Sequence, residues 1–310
     1  MREAKVAQAS AIVSTVSEAS AAPLLEIEDL RVDVDGVPAC DGLTLQTRGE
    51  RVLVLGAPRV VFEATCGLRP VMRGRLHVRG LAAEAAVRGA ILAGAPLDPP
   101  LPPKWTALEY ITWSARLAGR SSRDARRLAK EAVARVALGP VAGSTFERMP
   151  PHARRGVVLA AALATGASAI VLEDPLAGLP EELALTLAKI IVEALAERSW
   201  VVFGARLSLT SPLTMRADEA LMVSSSRLDA QGPPAEIAAQ GRRYVARIHS
   251  TGPLEALVAR LSERGAKMDI QGAQVLLDLG SSMTTADLLG LCAELDATVV
   301  EMVPLARALT

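Results

Sequence analysis

The chain has 310 residues, with 34 basic and 34 acidic side chains and a formal net charge of +0. A neutral chain of this length excludes a basic field for nucleic acid and has room for one large α/β domain with a smaller companion. The mean hydropathy of +0.29 is high for a water-soluble chain, and the excess is mostly alanine.

Cys40, Cys66 and Cys292 lie far apart, with no CxxC spacing, so they read as buried thiols in a reducing compartment. His77, His152 and His249 are equally scattered and suggest no zinc site; no metal is expected. The most apolar run, GVVLAAALATGASAIVL from Gly156 to Leu172, is broken by Thr165, Gly166 and Ser168. It reads as a buried helix, a turn and a buried strand rather than a membrane span. Residues 1–22 are rich in alanine and serine and are interrupted by Glu18. They read as a mobile extension, not as a signal peptide.

Strands follow the extension. LLEIEDLRVDV from Leu24, GLTLQT from Gly42 and ERVLVLG from Glu50 have strand patterning, with Asp35-Gly36 as a turn. Past Leu81 the pattern turns helical. Ser121-x-x-Asp124 has the form of a capping box, and Leu128, Ala129, Ala132, Val133, Val136 and Ala137 give the helix after it one buried face. A helix from about Arg154 leads into a strand over Ala169–Leu172, and a helix over Glu182–Arg198 leads into a strand over Trp200–Phe203. Such alternation predicts a largely parallel sheet covered on both sides.

After Gly241 the rhythm changes. Tyr244–Ile248 reads as a strand, and Leu254, Leu257, Val258 and Leu261 mark a helix face. The short strands KMDI and AQVLLDL flank Gln271-Gly272. Leu288, Leu291, Cys292 and Leu295 mark a second helix before a last strand, Thr298–Met302. The order βαββαβ predicts a small ferredoxin-like α+β domain. The plan is thus an extension over 1–22, a main domain over 23–241 and a C-terminal domain over 242–310.

Several segments, in this order, resemble the ATPase subunits of ABC transporters from residue 24 to the C-terminus. LLEIEDLRVDVDGVPACDGLTLQTRGERVLVLG has the layout of that family's first three strands, and CGLRPVMRGRLHVRG is similar to the stretch after its phosphate loop. TALEYITWSARLAG resembles the start of the helical subdomain. RRGVVLAAALATGASAIVLEDPLAGLP resembles the helix after the signature motif, the Walker B strand and the D-loop. MRADEALMVSSSRLDAQGPPAEIAA is similar to the closing strands, and the small domain ending in ALT resembles the tail of ATPases serving ABC-2 type exporters. The resemblance implies a P-loop NTPase-like ABC ATPase fold with a helical subdomain. It also implies a cytoplasmic subunit peripheral to the inner membrane.

The same resemblance shows what is missing. Phosphate binding in this fold needs a Gly-rich turn, a lysine for the β/γ-phosphates and a Ser/Thr for Mg²⁺. Here the chain reads Gly56-Ala57-Pro58-Arg59-Val60-Val61-Phe62-Glu63, with no GK[ST], and the interval to Gly67 is about four residues short. Pro58 removes an N–H, and Glu63 adds negative charge. Arg59 reads as a solvated loop residue, with a stand-in for the lysine as the alternative. The signature run is represented by Met149-Pro150-Pro151-His152-Ala153, the adenine-stacking aromatic by Val34, the Q-loop glutamine by Gly94–Ala95 and the switch histidine by Arg206. Walker B keeps two carboxylates in inverted order, Glu173-Asp174. They read as a solvated strand end before Pro175, with weak metal attraction as the alternative.

Three features outside the motifs have plainer readings. PLDPPLPPKW (Pro96–Trp105) reads as a stiff connection, with a polyproline ligand as the alternative. Arg116, Arg120, Arg123, Arg126 and Arg127 read as a solvated helical face, with contact to anionic lipid as the alternative. Trp105 and Trp113 read as core or interface packing.

The function expected is therefore a pseudo-ATPase within a membrane transport complex. No catalytic site is intact: Glu173, Asp174 and Arg206 are catalytic vestiges, and Gly56 and Arg59 are vestiges of nucleotide binding. ATP with Mg is not expected as a cofactor. A membrane permease or an active ABC ATPase is the expected partner, in a homo- or heterodimer. The alternatives are residual ATP binding at a composite site and a scaffold in an envelope-associated machine.

Overall fold

The computed structural model describes residues 22–224, 226–239, 243–250, 252, 254–271, 274–280 and 283–304. The extension over 1–21, the boundary residue Gly241, the turn residue Gly272 and the closing ALT lie outside the described residues.

The first strands form as their patterns require. β1 (Leu25–Val34) and β2 (Val37–Gln46) make an antiparallel hairpin around Asp35 and Gly36, both at positive φ (51° and 80°). That pair of dihedrals is the primed turn that matches the twist of two strands. β3 (Arg51–Leu55) is apolar on both faces and runs into α1 (Arg59–Thr65). β4 (Arg73–Val78) and the short β5 (Leu81–Ala82) complete an antiparallel sheet ordered β2-β1-β4-β5. Gly74 of β4 faces a bulge in β1, where a Cβ would come within 2.2 Å of the Glu28 carbonyl oxygen, so only glycine fits.

The stretch past Leu81 is not simply helical. A short α2 (Ala83–Arg88) is followed by β6 (Leu92–Ala95), an edge strand parallel to β7. Its residues LAGA carry no β-branched or aromatic signal. The small side chains have a packing reason, since a Cβ on Gly94 would lie 2.5 Å from the Cys66 Sγ.

Helices then dominate: α3 (Ala107–Leu117), α4 (Ser122–Arg135), α5 (Pro151–Ala164) and α6 (Glu181–Ala194). α3 opens on a full capping box, Thr106 with Glu109. α4 opens on Ser121, whose hydroxyl accepts from the Asp124 N–H as its spacing predicts. Ala129, Ala132, Val133 and Val136 are buried, whereas Ala137 is exposed at positive φ where the chain leaves the helix. α5 starts three residues before Arg154, with Pro151 in its first turn, where proline lacks no needed donor. Every residue from Gly156 to Ala164 is buried, as the apolar run requires.

α5 delivers the chain to β7 (Ala169–Glu173), and α6 delivers it to β8 (Ser199–Gly204). After α7 (Pro212–Arg216), β9 (Glu219–Ser224) and β10 (Arg227–Gly232) close the sheet, and α8 (Pro234–Ala239) follows. The order is β10-β9-β3-β8-β7-β6, parallel except for β10. One core lies between this sheet and α3–α6, and a second lies between it, α1 and the antiparallel sheet.

The C-terminal unit comprises β11 (Arg243–Ser250), α9 (Leu254–Glu263), β12 (Lys267–Gln271), β13 (Gln274–Asp278), α10 (Thr285–Glu294) and β14 (Ala297–Pro304). Its antiparallel sheet has the order β12-β13-β11-β14 around a core of its own. The fold class is therefore α/β, with a parallel sheet, a helical layer and a βαββαβ unit.

Candidate functional site

The carboxyl ends of β3, β6, β7 and β8 meet at one corner of the parallel sheet, the place where open α/β folds put ligands. The corner is stitched by backbone. The Gly56 N–H donates to the Gly204 carbonyl at 2.9 Å, and the Asp174 N–H donates to the Phe203 carbonyl at 2.6 Å.

Only Gly56, Ala57 and Pro58 connect β3 to α1. Gly56 holds φ +80°, and a Cβ there would come 2.3 Å from the Val223 carbonyl oxygen. Pro58 is the N-cap residue and offers no N–H, and the Val61 N–H is spent on the Pro58 carbonyl. Phe62 turns inward and packs edge-to-face on Phe203, with ring centres 6.1 Å apart.

Arg59 and Glu173 meet directly. The Arg59 Nε lies 2.7 Å from Glu173 Oε1, and the same guanidinium is 3.3 Å from Glu63 Oε1. The Leu97 N–H donates to Glu173 Oε2 at 3.0 Å, and Arg69 pairs with the far side of Glu63. This corrects two sequence-based expectations. Arg59 is solvent-exposed as expected, but it stands in the first turn of α1 rather than in a loop, and it is ion-paired. Glu173 is not a solvated strand end: it is 7% exposed. The partners are 114 residues apart. Only the i,i+4 spacing of Arg59 and Glu63 was visible as a local signal, and nothing in the sequence marks the Leu97 amide.

Asp174 sits one residue later, at φ 35°, and accepts from the Ala205 N–H at 3.4 Å. Burial holds its carboxyl above the ordinary range, against the Ala205 hydrogen bond and the charge of Arg155, which both pull it down. Arg155 donates to the Pro175 carbonyl at 3.2 Å. Sequence reasoning passed over Arg155, since nothing in its spacing points to this corner. Arg206 is exposed in the loop after β8, where it shares a cleft of about 210 Å³ with Asp174. Cys66 lies behind α1, where burial, and secondarily the Glu173 charge, push its thiol up to about 12.

The remaining counterparts lie elsewhere. Val34 ends β1, half-buried. Gly94 and Ala95 end β6, and Pro150 and Pro151 open α5, with Arg154 Nε donating to the Met149 carbonyl at 2.9 Å.

No family model matches the chain. It is 32% identical over 231 residues to the hemin import ATP-binding protein HmuV of Streptomyces coelicolor, covering 68% of this chain and 79% of the relative. The chain belongs to the family of ABC transporter ATP-binding proteins. Solved structures with the same fold include cbiO1 from Clostridium perfringens, at 15% identity and a TM-score of 0.60 over 78% of this chain and 96% of that one. The ADP conformation of the ATP-binding cassette MJ1267 is similar at 17% identity and a TM-score of 0.56, over 68% of this chain and 91% of that one.

Within this ABC-type cassette, the residues at the corner do not fit Mg-ATP. A three-residue turn with a proline does not supply the ring of amides that holds phosphates, and Phe62 supplies no hydroxyl for Mg²⁺. The Glu173 carboxylate is satisfied by Arg59 and Leu97, which leaves it no call for a metal.

The ion pair is testable by a double-mutant cycle in urea. Arg59→Ala leaves a buried carboxylate with one amide donor and should cost about 1–2 kcal/mol, discounted because Arg59 is 62% exposed. Glu173→Gln in the Arg59→Ala background should recover most of that loss, and additive costs would show that the pair is not coupled. Asp174 gives a pH test. Its raised carboxyl favours folding most below about pH 4, where the unfolded group is also protonated, and that contribution is lost as pH rises through the raised value. Asp174→Asn should therefore raise the melting temperature at pH 7, with the gain vanishing in acid.

Proposed function

We propose that this ABC-type chain is a degenerate cassette, a pseudo-ATPase that serves a membrane transport complex through its surfaces. One observation carries the reading: an internal ion pair, Arg59 with Glu173, fills the corner where a working cassette holds phosphate and Mg²⁺. The altered signature run at Pro150-Pro151 and the exposed Arg206 in place of a switch histidine support it. A fold retained without its site is what selection for surfaces leaves.

In this reading residues 23–241 form the cassette and 242–310 a small C-terminal domain. The chain docks on a membrane permease or pairs with an active ABC ATPase, at the cytoplasmic face of the membrane. The βαββαβ unit favours the ABC-2 export class. The likeness to a hemin import ATP-binding protein favours import as the alternative. A composite site with an active partner is the second reading, favoured by Asp174 and Arg206 sharing an open cleft.

The test is a pull-down of the tagged chain from solubilised membranes, followed by transport assays on the complex recovered. A polytopic membrane partner is expected, and its class decides between export and import; recovery of soluble partners alone would replace transport with a scaffold role. Transport with Asp174→Asn and Arg206→Gln combined should equal that of the parent. A loss at equal protein level would establish the composite site.

A further inference from the structure

A groove away from the nucleotide corner lies on the outer side of α3 and α4. It has a volume of about 610 Å³, and Trp105, Leu108 and Trp113 line it beside Arg116, Arg126 and Lys130. The α3 residues recur at helical spacing and so lie on one face. Sequence reasoning read both tryptophans as core or interface packing; they are not in the core, being 36% and 46% exposed, and their rings meet edge-to-face at 6.1 Å.

The stretch of chain that builds this groove is basic, and three of its cations line the groove itself. Between Lys104 and Arg135 stand eight basic residues and three acidic ones, in a chain whose total charge is zero. The acidic groups here are occupied: Glu109 by the Thr106 N–H and hydroxyl, Asp124 by Ser121 and Arg127, and Glu131 by Arg127. Arg116, Arg126 and Lys130 form no ion pair with any described residue. Trp105 is also rigidly presented. Its carbonyl accepts from the Phe146 N–H at 3.1 Å, and the Pro103 carbonyl accepts from the Glu147 N–H at 3.1 Å. The proline-rich stretch is thus a fixed strut, which holds the indole in place before any ligand arrives.

We propose that this face docks on the headgroup layer of a bilayer rich in anionic lipid. Indoles settle at the depth of the headgroups, and arginine and lysine reach lipid phosphates while their stems cover apolar surface. Two exposed tryptophans with unpaired cations from two helices meet both demands at once. The proposal does not rest on the pseudo-ATPase reading, since none of these residues belongs to the nucleotide corner.

The test uses the full chain with large unilamellar vesicles of phosphatidylglycerol and phosphatidylcholine, read by co-sedimentation and tryptophan emission. The third tryptophan, Trp200, is 1% exposed, so a blue shift on binding reports Trp105 and Trp113. Binding with a blue shift is expected on anionic vesicles and not on pure phosphatidylcholine. Arg116→Gln, Arg126→Gln and Lys130→Gln together should weaken it about a hundredfold. Trp105→Ala with Trp113→Ala should weaken co-sedimentation with anionic vesicles at least tenfold. High salt should release the unsubstituted chain, which tests the electrostatics without any substitution. Equal binding to zwitterionic vesicles, or parental binding by a triple variant with a parental melting curve, would overturn the proposal. Equal affinity for monomeric dihexanoyl phosphatidylglycerol would overturn it in favour of a soluble-lipid site.

Discussion

A carboxylate at the end of a buried strand has to be neutralised, and Glu173 imposes that requirement on everything around it. Moving an unpaired carboxylate out of water costs several kcal/mol, more than most single contacts return. In a cassette with a lysine-bearing phosphate loop, the lysine and Mg²⁺ supply counter-charge at this corner. Here it comes from within the chain. The turn Gly56-Ala57-Pro58 is short enough to bring Arg59 to the first turn of α1, within 2.7 Å of Glu173, and Leu97 contributes an amide. Gly56 makes that turn possible, because the chain passes under the Val223 carbonyl with no space for a side chain. Phe62 then fills the interior with a ring. The corner is a small piece of ordinary protein core with a polar staple.

Much of the fold was legible because its signals are local. The hairpin at Asp35-Gly36, the capped helix after Ser121 and the βαββαβ order after Gly241 rest on turn chemistry, caps and periodicity within a few residues. β6 was not legible, since LAGA has no strand propensity and is small so that Cys66 can pack against Gly94. The site divides in the same way. The absence of a GK[ST] run over Gly56–Glu63 and the two prolines within Met149–Ala153 are facts of the sequence. The pairing of Arg59 with Glu173 joins residues 114 apart, and no local pattern carries it. The burial of Glu173 was hidden for the same reason, because the residue before Asp-Pro in a sequence looks like the start of a loop.

Two surfaces with different physics result. At the nucleotide corner the buried Glu173 carboxylate is neutralised by Arg59. The outer face of α3 and α4 is open, with unpaired positive charge and two indoles. Membership of the ABC ATP-binding family explains why the core has this shape. The C-terminal βαββαβ unit, with its own sheet and core, gives the chain a further surface that does not depend on the state of the corner.

The most direct test of the account is a calorimetric titration of Mg-ATP into the purified chain up to millimolar concentration. The account predicts no saturable heat, because the carboxylate is already paired and the turn offers no cradle of amides. Saturable one-to-one binding at micromolar affinity, lost on substitution of Arg59 or Glu173, would contradict it.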